Sequence, residues 1–165
     1  MADDSEVFVG IDVAKVRNAV AIADDKRGGE VRFLGEVDAS EESMRRVVKR
    51  IAAQHGRVHF CYEAGPTGYG LHRLITSLGH SCIVVAPSLI PRRPGDQVKT
   101  NRRDAIALAK LLRAGELTAV WVPDEVHEAM RDLVRARAAA VETLRVPRSA
   151  SDLSTLLLHG LTIER

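Results

Sequence analysis

Apolar positions come in short bursts over the first third of the chain. Val7 to Ile11 is a nearly unbroken apolar run that ends at Asp12, which predicts a buried strand. Arg17 to Ala23 alternates weakly and then meets Asp24-Asp25-Lys26-Arg27-Gly28-Gly29, a turn signal, before a third run from Val31 to Val37. The three runs predict an antiparallel meander. From Ser40 the period changes. Met44, Val47, Val48 and Ile51 fall on one helical face, Glu41 and Glu42 stand at its positive end, and Gly56 is the predicted stop. Val58 to Tyr62 predicts a fourth strand, closed by Glu63 and the turn Gly65-Pro66-Thr67-Gly68. A helix follows from Tyr69 to Leu78, stopped by Gly79, and then a fifth strand from Ser81 to Ala86.

Three strands, helix, strand, helix, strand is the element order of the RNase H-like class. It predicts an α/β, mixed five-stranded sheet in the order 3-2-1-4-5, its two later strands parallel because helices cross between them. Pro87 to Gly95 holds three prolines and predicts an irregular loop. Asn101 begins another helix, with Ile106, Ala109 and Leu112 or Leu108 inward, ending near Gly115. Pro123 opens the last helix, from Asp124 to about Arg145, where Pro147 is expected to break it. Its stripe of Val126, Ala129, Leu133, Ala136, Ala140 and Leu144 recurs in steps of three and four, suited to covering this domain or pairing with another helix. We therefore expect one domain over residues 1–122 and an amphipathic helix with a tail over 123–165.

Composition fits a folded chain: 165 residues, 45% hydrophobic and 28% charged, with aromatics at only 4%, so that aliphatic side chains must fill the core. No apolar run approaches the roughly 20 residues of a membrane span. Asp3, Asp4 and Glu6 precede the first strand, the reverse of a secretory signal. A cytoplasmic protein with no membrane partner is the expectation. Cys61 and Cys82 each fall inside a predicted strand and form no C-x-x-C pair, so buried reduced thiols are expected.

The net charge of +2 is unevenly spread. Arg92, Arg93, Lys99, Arg102, Arg103, Lys110 and Arg113 face only Asp96 and Asp104, giving this segment +5 and the remainder −3. Such asymmetry points to a polyanionic partner, although a charge run is also what an ordinary solvated face looks like.

Asp12 stands directly after a buried strand, where open α/β sheets place ligands. Glu63 ends the strand expected beside it. Two carboxylates on neighbouring strand ends suit divalent metal in phosphoryl transfer, and oxygen-only ligands favour Mg²⁺ or Mn²⁺. Capping a turn is the competing role for each. Asn101 and Asp104 share a helix face and would join the same cluster; equally, Asn101 is a good N-cap and Asp104 suits a helix start. The Gly65–Gly70 stretch lacks the Gly-Lys-Ser/Thr of a P-loop. His55 and His59 are separated by Gly56 and a new strand, so they make no helical metal pair.

Several segments, taken in order, carry a resemblance. Gly10-Ile11-Asp12-Val13-Ala14-Lys15 resembles the opening motif of the IS110 family of transposases. Cys61-Tyr62-Glu63-Ala64-Gly65-Pro66-Thr67-Gly68-Tyr69-Gly70 resembles its second motif. Pro87-Ser88-Leu89-Ile90-Pro91 and then Lys99-Thr100-Asn101-Arg102-Arg103-Asp104-Ala105 resemble its third. The likeness continues through Leu111–Leu117 and Val120-Trp121-Val122-Pro123 to Arg131–Arg135, covering roughly Val7 to Arg137.

The resemblance implies a RuvC-like, DEDD-type domain that binds Mg²⁺ and DNA and serves metal-dependent DNA strand cleavage and transfer in transposition. Asp12 matches the first Asp, Glu63 the Glu and Asp104 the last Asp, while Asn101 stands where the family has its third acid; Asp96 is a weak substitute. Arg92, Arg93, Lys99, Arg102 and Arg103 become candidate nucleic-acid contacts. Family members use a structured guide RNA, and continue into a C-terminal domain with a nucleophilic serine. Here the pattern fades after Arg137, and Leu156-Leu157-Leu158-His159-Gly160 resembles a fragment of a later helix end. The expectation is a truncated copy, inactive alone, pairing with itself or with full-length transposase through its last helix. A non-catalytic nucleic-acid-binding or transposase-interacting remnant is the alternative. An actin-like sugar kinase, which also opens on Gly-Ile-Asp, would need a second lobe for which the chain has no room.

Overall fold

The computed structural model describes residues 5–25, 29–65, 67–91 and 100–158, with side chains described as far as residue 144. The chain divides into two compact units, Met1–Val122 and Pro123–Arg165.

The first unit is built on one five-stranded sheet in the order β3-β2-β1-β4-β5. Strands β1 (Glu6–Asp12), β2 (Arg17–Asp24) and β3 (Val31–Asp38) form the antiparallel meander; β4 (Arg57–Glu63) and β5 (Ser81–Val85) add in parallel. The topology is RNase H-like, as the element order predicts. Helix α1 (Glu41–Gln54) carries the chain from β3 to β4, and α2 (Gly70–Ser77) from β4 to β5. A 3-10 turn at Pro87–Leu89 follows β5. Beyond α3 (Asn101–Ala114) the chain runs along β5, where Ala119 bridges Val85 and the Val120 N–H donates to the Val84 carbonyl at 2.8 Å.

The two faces of the sheet are packed differently. Alternation along β1 sends Val7, Val9 and Ile11 to one face, where they join Val20, Ile22, Phe60, Tyr62 and Val84. Met44, Val47, Val48 and Ile51 of α1 and Leu74 and Ile75 of α2 close this layer. On the other face Ala19, Ala21 and Ala23 of β2 meet Ala105 and Ala109 of α3. Gly10 belongs to that face: a Cβ there would lie 2.3 Å from the Ala105 carbonyl oxygen and 2.4 Å from the Ala109 nitrogen. Only glycine lets the helix backbone come so near the strand. The inward set of α3 is thus Ala105, Leu108 and Ala109, with Ile106 at the margin; of the two alternative inward leucines, Leu108 is buried and Leu112 only half-buried.

Two local expectations change. Helix α1 stops at Gln54, before Gly56. The N-cap of α3 is Thr100, whose hydroxyl accepts from the Arg103 N–H at 3.3 Å, and Asn101 is already the first helical residue. A threonine cap satisfies an otherwise unpaired helix-start donor and does so without Asn101. At its other end Gly115 takes a left-handed φ of 70°, the usual helix stop.

The second unit is described by one helix, α4 (Glu125–Leu158). The Asp124 carboxylate accepts from the His127 N–H at 2.9 Å, which, with the His127 ring, holds its pKa below the ordinary value. The helix continues past Pro147, where a break was expected. Proline removes one N–H and crowds the carbonyl four residues back, a local disturbance that a helix of this length contains without ending. Val126, Met130, Leu133, Val134, Val141 and Leu144 are exposed along it.

Candidate metal and nucleic-acid site

The carboxylates at the strand ends are brought together by pairing. In the parallel β1–β4 ladder Gly10 lies opposite Cys61 and Ile11 opposite Tyr62, so Asp12 and Glu63, the last residues of the two strands, follow at the same end. Facing is settled by parity. Gly10 abuts α3, and the Cys61 thiol points at the Leu108 carbonyl at 3.6 Å. Asp12 and Glu63 lie two residues further on and therefore share the α3 face. Both are half-buried. Beside Asp12 in the antiparallel ladder sits Ala19, fully buried and small.

The direction of α3 places the third acid. Arg113, in its last turn, donates to the carbonyls of Asp24 at 3.1 Å and Gly29 at 3.0 Å. Asp24 pairs with Val7, at the start of β1. The C-terminal end of α3 therefore lies over the start of β1, and its N-terminal end over Asp12 and Glu63. Asp104 is four residues before Leu108, an advance of about 6 Å; Glu63 is two strand residues past Cys61, an advance of about 6.6 to 6.8 Å. The thiol contact from Cys61 to Leu108 thus carries Asp104 to the same end as Glu63. Asp104 also sits in the first helical turn, where unpaired N–H groups favour negative charge.

Asn101 is exposed at the start of α3, one turn further out. All four candidates are oxygen donors, the chemistry that Mg²⁺ and Mn²⁺ prefer. The residues thus fit such an ion in kind and in the end of the sheet they occupy. Among the described residues, however, no three His, Cys, Asp or Glu side chains are gathered into a ready ligand set.

The basic segment is only partly visible. Arg92, Arg93, Asp96 and Lys99 lie outside the described residues. Arg102 and Arg103 are exposed in the first turn of α3; the Arg102 guanidinium stands 5.3 Å from the centroid of the Phe33 ring, over β3. Arg113 has a structural task, tying α3 to the turn after β2.

Several other chemistry-bearing residues have structural places. Both cysteines are reduced and buried; burial pushes the Cys61 thiol far above its ordinary range and Cys82 up to about 12, so neither supplies a thiolate. His55 meets the Ser5 hydroxyl at 3.1 Å. His59 lies between Glu6 at 2.7 Å and Ser81 at 3.2 Å, linking β1, β4 and β5 at the end of the sheet remote from Asp12. What sequence reasoning passed over is Thr100, whose place as cap only the backbone reveals, and Asn18, a nearly wholly buried polar residue at the start of β2. The signal for Asn18 was a polar residue entering an otherwise apolar strand.

Comparison with known proteins decides the family. The sequence matches the transposase family of the IS110 DEDD type over residues 9–158. The chain belongs to that family. The match runs well past Arg137, where the recognisable motifs end. Among its relatives, a Sinorhizobium fredii protein named "Putative transposase y4qE" is 69% identical over 160 residues, covering 97% of this chain and 41% of that protein. The transposase for insertion sequence element IS1533 of Leptospira borgpetersenii is 38% identical over 133 residues, covering 80% of this chain and 38% of its own length. The chain thus spans about two fifths of the curated relatives it matches. Among solved structures, Thermus thermophilus RuvC is similar with a TM-score of 0.46 at 12% identity, over 69% of this chain and 99% of that one. No helix among the described residues is long and apolar enough to cross a membrane.

Proposed function

We propose that the sheet end carrying Asp12 and Glu63 is the metal and nucleic-acid site of a DEDD transposase's N-terminal domain. Asp12, Glu63 and Asp104 are the carboxylate ligands, and Asn101 is a fourth, uncharged oxygen donor. The observation that carries this reading is the parallel pairing of β1 with β4, which ends both strands in an acid on the face where α3 presents Asp104. A divalent cation there, Mg²⁺ or Mn²⁺, would activate an attacking oxygen and offset charge on a phosphate. The residues themselves orient and compensate. Ala19 leaves room beside Asp12, Thr100 fixes the start of α3, and Arg102 and Arg103 offer positive charge to a backbone phosphate.

The partner is DNA, with a structured guide RNA as a further partner of the longer protein. Because the chain spans about two fifths of its relatives, transposition belongs to that longer protein, and this domain alone binds without completing strand transfer. The exposed apolar positions of α4 suit pairing with a second copy or with full-length transposase. A second reading, a binding remnant without catalysis, is favoured by Asn101, which brings no charge where the family has an acid.

Calorimetric Mn²⁺ titration of the chain and of its Asp12→Asn and Glu63→Gln variants tests the site. Saturable binding that each substitution abolishes, with thermal unfolding still cooperative, is the expected result. Equal binding by all three proteins would place the metal elsewhere.

A further inference from the structure

A crevice of about 260 Å³ opens beside the carboxylate end of the sheet, between the turn that follows β1 and the start of α2. Val13, Met44 and Leu71 give it apolar walls, Lys15 and Thr67 stand among its polar lining, and Asn18 lines it from within. Val13 is the next residue after Asp12, so the crevice and the acid occupy opposite sides of one strand end.

Asn18 is 2% exposed. Its Oδ1 accepts from the Ala14 N–H at 3.1 Å. Because the partner is a donor, the oxygen is assigned and the amide nitrogen must point the other way. Among the described residues no acceptor is paired with that nitrogen. Closing the turn uses only the oxygen, and Asn18 lines the crevice, so its amide nitrogen is available to donate into it. Glu41, also in the lining, is held by Arg45 at 2.6 Å, so its charge is offset.

An apolar slot of this size, with one amide donor and a cation among its lining residues, matches a flat heteroaromatic ring bearing an acceptor and joined to a phosphate. We propose that the crevice takes a nucleobase turned out of its stack, from the nucleotide adjoining the phosphate held at Asp12 and Glu63. This rests on the nucleic-acid reading above. The ring lies between Val13, Met44 and Leu71, the Asn18 amide donates to an acceptor on its edge, and Lys15 meets its phosphate. Every natural base has such an acceptor, so the crevice anchors the strand and adds preference through size and the remaining edge. Enzymes that act on nucleic acid use such extrusion where the strand must be locally opened.

The test has two arms. The chain is titrated with dAMP, dCMP, dGMP and dTMP, and with deoxyribose 5-phosphate as the base-free control, while the Asn18 side-chain amide and the Ala14 and Thr67 backbone amides are followed by NMR. Saturable shifts with at least one mononucleotide, absent with the control, are expected. Shifts identical with the control, or none at these residues, overturn the proposal. In the second arm a single-stranded oligodeoxynucleotide is bound to the wild type, to Ala39→Leu, which narrows the crevice, and to Lys15→Ala, an exposed change that leaves folding intact. Each should weaken binding about tenfold, the scale of losing one base contact. Unchanged affinity in both variants overturns the crevice and leaves the metal and nucleic-acid site standing. Absence of any binding by the wild type overturns both.

Discussion

The two faces of the sheet solve different problems. The face under α1 and α2 is filled with Val, Ile, Phe, Tyr and Met, whose burial supplies most of the apolar area removed from water. The face under α3 is lined with alanines and Gly10. Small side chains bury little area, so this interface contributes less stability, yet it brings a helix backbone into direct contact with a strand. That closeness sets where Asp104 stands relative to Asp12 and Glu63. One face holds the fold; the other sets the distance between its acids.

This division can be broken experimentally. Phe60→Ala, on the aliphatic face, should have the largest effect on stability, a loss of about 3 to 5 kcal/mol from the deleted ring and the cavity left behind. Metal affinity of the fraction still folded should stay near wild type. Denaturant unfolding with and without Mn²⁺ measures both quantities, and a comparable fall in affinity would show that the faces are not separable.

Gly10→Ala should do the reverse. One methyl group forced against the Ala105 carbonyl and Ala109 nitrogen costs about 1 to 3 kcal/mol as overpacking. Because α3 must lift to admit it, Mn²⁺ binding should weaken more than the stability loss alone explains. If affinity is retained, the close approach of α3 is not what positions Asp104.

Smaller effects sharpen the same picture. Asn101→Asp should change stability by no more than a few tenths of a kcal/mol, since Thr100 already caps the helix and an acid at a helix start is favourable. Its effect belongs to metal. If the proposed site holds two divalent cations, a fourth carboxylate would offset their charge better, so a second Mn²⁺ should bind roughly tenfold tighter, read from calorimetric stoichiometry. Identical isotherms would remove position 101 from the ligand set. The least change is expected from replacing Arg102 and Arg103 with Ala, which should lower the slope of log affinity against log salt by about one to two for single-stranded DNA. An unchanged slope would assign these arginines to packing, a role the Phe33 contact already suggests for Arg102.

Strand order, the parallel pair and the two strand-end acids were legible because they depend on period and on the residue that ends each run. Asp12 and Glu63 needed only to be last in their strands, and alternation then fixed their face. The inward set of α3 was harder to read. Alanine carries a weak apolar signal, so Ala105 could not be told from a surface helix former, and spacing alone did not separate Leu108 from Leu112. Capping failed for a related reason, since Thr100 and Asn101 are both good N-caps and only the backbone turn decides between them. Asn18 escaped because no rule of spacing marks a lone amide whose oxygen closes a turn and whose nitrogen is left over. The continuation of α4 past Pro147 defeats any reading in which proline always ends a helix.

The parallel junction between β1 and β4 also sets an order of events during synthesis. The β1–β2–β3 meander is made of neighbouring segments and can close as soon as Asp38 has left the ribosome, whereas β4 reaches β1 only after α1 has crossed the sheet. Until then Asp12 has no second acid beside it, and Asp104 arrives later still with α3. A nascent or clipped chain consequently lacks the juxtaposed acids, which are scattered along the polypeptide and meet only when the last parts of the sheet and its covering helix have been laid down.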